Sequence, residues 1–183
     1  NNSFRKENVT FTYVPEDVTR DISNCSLILN STVNQTNPTI TELVTNQFVL
    51  NNVPSGNFTW NITCIDDMDN SNSSEERSLA IDNDAPTITI DLPSSYSNFS
   101  SSTTTINATV IETGIGVNVT SFEYRENDAA AWQDACEDAD GSSPFECVWS
   151  IGALTDGSTY QVRVAANDSL NNIGLYSNST NIT

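Results

Sequence analysis

The sequence predicts an all-β protein built as two tandem antiparallel β-sandwiches. Three observations predict it. Apolar and polar residues alternate with period two along much of the chain, and helical periodicity is absent nearly everywhere. The alternating segments fall into two sets of roughly 90 residues, a length that suits one sandwich each. The two sets also repeat the same landmarks in the same order.

Each element follows from its own residues. "VTFTY" places Val9, Phe11 and Tyr13 on one face and Thr10 and Thr12 on the other. "CSLIL" groups Cys25, Leu27 and Leu29. "FTWNITC" turns Phe58, Trp60, Ile62 and Cys64 inward, and "RSLAID" adds Leu79 and Ile81. The second half opens on "PTITIDL", with Ile88, Ile90 and Leu92 inward. It continues with "INATV" (Ile106, Ala108, Val110), "SFEYR" (Phe122, Tyr124) and "YQVRVA" (Tyr160, Val162, Val164, Ala166). The signpost Asp66-Asp67-Met68-Asp69-Asn70 reappears as Asp168-Ser169-Leu170-Asn171-Asn172. Phe58 stands as far before Asp66 as Tyr160 before Asp168.

"AIDNDAPTITIDLP", residues 80–93, reads as a last strand, an acidic hinge and a first strand. It divides the chain into domains 1–82 and 83–183. The first domain begins "NNSFRKENVTF", where nothing resembles "PTITIDLP". The first sandwich is therefore expected to lack its N-terminal strand. That leaves an assembly edge at Val9, Phe11 and Tyr13, with residues 1–9 near the joint. Either the sequence starts partway into a repeat, or another chain supplies the strand by β-augmentation.

Composition limits the chemistry. Six Lys and Arg face 24 Asp and Glu, a net charge of −18. Nucleic acid and anionic membrane surfaces would be repelled. No apolar run is long enough for membrane insertion, and the chain reads as a mature or excised segment. Histidine is absent, which removes the commonest general base and transition-metal ligand. With no nucleophile motif and no metal triad either, an enzyme is not expected.

Four cysteines allow three pairings, and their spacings are unlike a zinc site. Cys25 begins one strand and Cys64 ends a later one with the same inward parity, so antiparallel neighbours would join them. Cys136–Cys147 would staple the acidic insertion "CEDADGSSPFEC". Two disulfides imply an oxidising, extracellular setting. N-glycosylation motifs agree, at Asn1, Asn8, Asn24, Asn30, Asn34, Asn57, Asn61, Asn72, Asn98, Asn107, Asn118, Asn167, Asn178 and Asn181. Asn8, Asn24, Asn61 and Asn107 have outward strand parity, which a bulky hydrated glycan requires.

"LTDGSTYQVRVAAND" is similar to the pattern around the penultimate strand of fibronectin-type-III repeats, with Tyr160 at the corner position. "IDNDAP" resembles the hinge between tandem repeats of that kind. "NCSLILNSTVNQT" and "NFTWNITCIDDMDN" resemble an Asn-rich archaeal version. The chain thus resembles the Ig-like and fibronectin-type-III-like repeats of archaeal and bacterial surface glycoproteins. The resemblance implies spacers, adhesin stalks, surface-layer domains or filament subunits.

Two readings compete for the acidic clusters. Alternating carboxylates at Asp66, Asp67 and Asp69, with Asp82, Asp84 and Asp168, are candidate calcium ligands, and "DNDAP" resembles a cadherin linker. Equally, Asp and Asn occupy such turns because they bond their own backbone and tolerate left-handed conformations. Trp60 and Trp149 are expected in the core. Trp132, in "AAAWQDA", is the candidate exposed ring, and Glu112, Glu123 and Glu126 are expected to face solvent. The expected function is a structural module that self-associates with neighbouring copies or repeats and carries N-linked glycans. The alternative is an adhesin module recognising a carbohydrate or protein on another cell.

Overall fold

The computed structural model describes residues 4–183, the side chains of residues 180 and 181 excepted. Every regular element among them is a strand. The chain divides into two units, Asn1–Asn83 and Asp84–Thr183, so the division falls inside the acidic hinge.

The first unit contains β1 (Phe4–Arg5), β2 (Val9–Tyr13), β3 (Ile22–Leu29), β4 (Thr32–Asn37), β5 (Asn46–Leu50), β6 (Gly56–Asp66), β7 (Ser71–Ser73) and β8 (Arg77–Ile81). One sheet runs β1-β8-β6-β3-β4, with β7 also on β6. The other is the pair β2-β5. Alternation puts Val9 and Phe11 of β2, Leu27 of β3, Phe48 of β5, Ile62 of β6 and Leu79 of β8 in one core between them. The tight turn between β3 and β4 uses Asn30 and Ser31, both at positive φ (48° and 61°), as a two-residue hairpin requires.

The second unit contains β9 (Thr87–Leu92), β10 (Thr103–Ile111), β11 (Val117–Glu126), β12 (Gln133–Asp138), β13 (Phe145–Ser150), β14 (Tyr160–Asp168) and β15 (Ser177–Ile182). Its sheets are β13-β10-β9 and β12-β11-β14-β15. Ile106, Phe122, Trp149, Val162 and Val164 are buried between them. The Thr155 amide donates to the Tyr160 hydroxyl at 2.9 Å, which fixes the corner where the chain enters β14. Both units are Ig-like sandwiches, and among the described residues the first has one strand fewer in its smaller sheet.

That difference sharpens the expectation for the opening segment. Phe4–Arg5 does form a short strand, but it pairs in parallel with β8, as Phe4↔Ala80 and Arg5↔Ile81. It therefore lies on the sheet opposite β2. The second unit makes the same crossing after its first strand. Thr183 donates to the Ser97 carbonyl at 2.8 Å, and Phe99 donates to the Thr183 carbonyl at 2.7 Å. There, however, β9 precedes the crossing and pairs with β10. Among the described residues, β2 has β5 as its one strand partner.

Three expectations need correcting. The acidic segment 136–147 is not a stapled insertion: it contains the end of β12 and the start of β13, which lie in different sheets. Leu92 is exposed rather than core: the β9–β10 register shifts between Asn107 and Ala108, so Leu92 falls opposite Asn107 and out of step with Ile88 and Ile90. Two of the three glutamates are tied back to the protein. Glu123 pairs with Arg163, and Glu112 accepts from the Thr113 and Gly114 amides at 2.8 Å each.

Candidate functional site

The open edge of β2 is the candidate site. Its register with β5 runs Val9↔Leu50, Thr10↔Val49, Phe11↔Phe48, Thr12↔Gln47 and Tyr13↔Asn46. Val9 and Phe11 are buried, Tyr13 is half-buried, and Thr10 and Thr12 are exposed. The backbone orientation follows from one side-chain contact. Gln35 of β4 donates to the Val49 carbonyl at 3.3 Å, so that carbonyl points away from β2. In an antiparallel pair, facing residues turn their groups the same way, in alternation along the strand. Thr10 and Thr12 therefore direct their N–H and C=O groups to the open edge, and Phe11 directs its own to β5. The outer edge of β5 is partly capped by Gln35, and the edge of β2 has no such cap among the described residues.

Exposed apolar side chains gather where β2 ends. Val14 follows Tyr13 directly and is 60% exposed. The Leu43 amide donates to the Pro15 carbonyl at 3.0 Å, which brings Leu43 (68% exposed) and Val44 (47%) to the same end. Such a cluster is marked as a contact surface when it is contiguous with an unpaired strand.

The glycosylation motifs are distributed unevenly. β5 carries none and the Asn8-Val9-Thr10 motif runs into the start of β2, whereas on β3 (Asn24), β4 (Asn34), β6 (Asn57, Asn61) and β7 (Asn72) of the opposite sheet the acceptor asparagines lie within the strands. Asn8, Asn30, Asn34, Asn57, Asn72, Asn98, Asn118 and Asn178 are exposed. Asn24, Asn61, Asn107 and Asn167 are half-buried, and the Asn167 amide nitrogen donates to Asn171 at 3.2 Å. Asn1 and the side chain of Asn181 lie outside the described residues.

The acidic signposts form one turn, built twice. Asp66 Oδ1 accepts from the Met68 and Asn70 amides at 2.8 Å each, and Oδ2 accepts from the Asn70 side chain at 2.8 Å. Asp168 does the same with Leu170 (2.9 Å), Asn172 (2.7 Å) and the Asn172 side chain (2.6 Å). Asp69 and Asn171 occupy the same step at φ 63° and 61°. Donation from the Asn70 side chain, with the Asn70 and Met68 amides, holds the Asp66 carboxyl below its ordinary value against the opposing effect of burial. These bonds account for the turns without a cation. Asp67, Asp69 and Asp84 are exposed and Asp82 is buried. Among the described residues no three acidic, Cys or His side chains are placed to hold a metal.

Both disulfides are formed. Cys25 and Cys64 face each other across β3 and β6 within one sheet, with Cα atoms 4.0 Å apart. Cys136 of β12 and Cys147 of β13 instead tie the two sheets of the second unit together.

Trp149 is buried, and Trp60 packs edge-on to Phe11 at 4.8 Å. Trp132 is not a free platform. Its ring carries Arg125 and Arg163 at 4.5 and 4.3 Å, and Arg163 also stacks on Tyr176 at 3.9 Å.

Residues 86–164, in the second unit, match the family described as a bacterial Ig domain. No curated protein matches the chain. Among solved structures, the fibronectin(III)-like modules of CbhA from Clostridium thermocellum align over 98% of this chain and 86% of theirs, at 13% identity and TM-score 0.44. The FN1–FN3 domains of chicken CNTN1 align over 98% and 64%, at 14% identity and TM-score 0.45. Dimeric latent PorU from Porphyromonas gingivalis aligns over 100% and 19%, at 13% identity and TM-score 0.38. The fold assignment itself rests on the strand order above.

Proposed function

We propose that the chain is a non-enzymatic structural module of an extracellular surface glycoprotein, joined end to end with other copies or repeats into a filament, stalk or layer by strand donation. One observation carries this reading. Among the described residues the first sandwich leaves β2 unpaired along one edge, and the second covers the equivalent strand β10 with β9. An open strand edge is a template for another strand, and proteins that keep one exposed risk nonspecific pairing. A neighbour that fills it turns the liability into a joint. The disulfides and the many glycosylation motifs support an extracellular setting.

Electron microscopy of native material with intact mass tests the reading. Strings or sheets of repeating particles, with mass above the bare polypeptide, are expected. Dispersed particles at the bare polypeptide mass contradict it. Particles that attach singly to another cell's glycans or proteins, with no head-to-tail contact, favour the adhesin reading instead.

A further inference from the structure

We infer that Asn34 carries an N-linked glycan and that this glycan guards the open edge of β4 against strand addition. The inference rests on the glycoprotein part of the reading above and is independent of any joint at β2. β4 ends its sheet, whose order β1-β8-β6-β3-β4 puts β1 at the opposite margin. Among the described residues β3 is its one strand partner. Every residue of β4 except Asn37 is exposed.

An open edge is a template for pairing, and proteins blunt it with charge, proline, short strands or bulges. Several other terminal strands here use charge. β9 carries Asp91, β12 carries Asp134, Glu137 and Asp138, and β13 carries Glu146. β1 is two residues long and holds Arg5. "TVNQTN" has neither charge nor proline, in a chain of net charge −18. Uncharged strands bearing Asn and Gln stack readily on their own kind. β5 is uncharged too, but Gln35 caps its Val49 carbonyl. β15 is likewise an uncharged terminal strand, and it carries an acceptor at the exposed Asn178.

Local geometry singles out Asn34. The β3–β4 register shifts between Leu27 and Ile28, which face Gln35 and Val33, so Asn34 is the extra residue of a bulge. A bulged residue stands out of the ladder, and its side chain is re-aimed. The Asn34 side chain is exposed and has no hydrogen-bond partner among the described residues. By contrast Asn167 donates its amide nitrogen to Asn171, and Asn61 keeps its amide oxygen buried. Acceptor motifs also occur on the interior strands β3, β6, β10 and β11, so the bulge and the bare edge carry the assignment. Asn34-Gln35-Thr36 completes the motif. In the transfer, Asn34 Nδ2 bonds the anomeric carbon of an oligosaccharide diphosphate. The anomeric C–O bond breaks, the diphosphate leaves with its electron pair, and the amide gives up one proton. The product sets a bulky hydrated group in the middle of the edge. A second strand would have to displace that group's water to lie along β4.

Glycopeptide mapping of native material is the first test. A glycan on Asn34 is expected, and a bare Asn34 overturns the inference. Glycans elsewhere with Asn34 bare leave the glycoprotein reading standing, whereas no glycan at any position removes both. Amide hydrogen exchange over residues 32–37 then tests the guard. In the glycosylated chain, the amides not bonded to β3 are expected to exchange fast at every protein concentration. Asn34→Gln, made in the same source, loses the acceptor and keeps an uncharged amide. Its β4 amides are expected to slow by roughly tenfold or more as concentration rises. Asn34→Lys also loses the acceptor but puts a charge on the edge, and it is expected to exchange like the glycosylated chain. Circular dichroism checks that both variants fold. Concentration-independent exchange in folded Asn34→Gln, or equal slowing in Asn34→Lys, would overturn the guarding role.

Discussion

Phe4 pairs in parallel with Ala80, and that pairing decides where the chain's opening segment goes. It commits the residues just before β2 to the opposite sheet. In the second unit Asn98 occupies the same place beside Thr183, since its neighbours Ser97 and Phe99 bond Thr183 on either side. The two sandwiches therefore share a crossing, and among the described residues the second shows a strand before it. The candidate joint is that difference.

The Asp66 turn makes the first unit acid-sensitive. Its carboxyl is held below the ordinary value of about 3.9, chiefly by the Asn70 side chain and the turn amides. Its support is therefore complete above the ordinary carboxylate range and is lost as pH falls through the folded value. Asp66→Asn is expected to lower the melting temperature at pH 7. The gap from the unsubstituted chain should close as the pH drops below about 4. Thermal melts across pH check this.

Asp168 is buried in the same turn of the second unit. Asp168→Ala leaves the Leu170 and Asn172 donors without their acceptor and is expected to cost about 1–3 kcal/mol. Denaturant unfolding of the second unit's transition reads it directly.

Gly174 is sterically required. A Cβ there would lie 2.2 Å from the Pro86 carbonyl oxygen and 3.0 Å from Ile88 Cδ1. The loop before β15 would have to move off the start of β9. Gly174→Ala is expected to destabilise the second unit by roughly 1–3 kcal/mol, while the first unit's transition stays put. Differential scanning calorimetry separates the two outcomes.

The disulfides close loops of different length, with sequence separations of 39 and 11. Loop entropy predicts losses of about 4 kcal/mol for the Cys25→Ser/Cys64→Ser pair and about 3 kcal/mol for Cys136→Ser/Cys147→Ser. Paired urea titrations test the order.

The fold was legible wherever one strand face meets the core. β2, β3, β6, β10 and β14 announce themselves through residues such as Phe11, Leu27, Ile62, Ile106 and Val162. β4 was not legible, because "TVNQTN" is an edge strand exposed on nearly every residue and has no apolar face to repeat. β13 was hidden for another reason. Its "FECVWS" alternates cleanly, with Phe145, Cys147 and Trp149 buried, but the acidic residues before it drew the segment into an apparent loop. At the candidate site, parity alone placed Val9, Phe11 and Tyr13 on one face. It could not show that Thr10 and Thr12 face the open edge, since that depends on the β5 register and on Gln35 capping Val49. Nor could local pattern place Phe4 beside Ala80, a pairing across most of the first unit.

The central claim is that a neighbour's strand covers β2. The most direct test compares amide exchange at Thr10 and Thr12 in native assembled material and in the isolated chain. The account predicts slow exchange at both residues in the assembly and fast exchange in isolation, with Phe11 slow in each. Fast exchange at Thr10 and Thr12 in both states would contradict it.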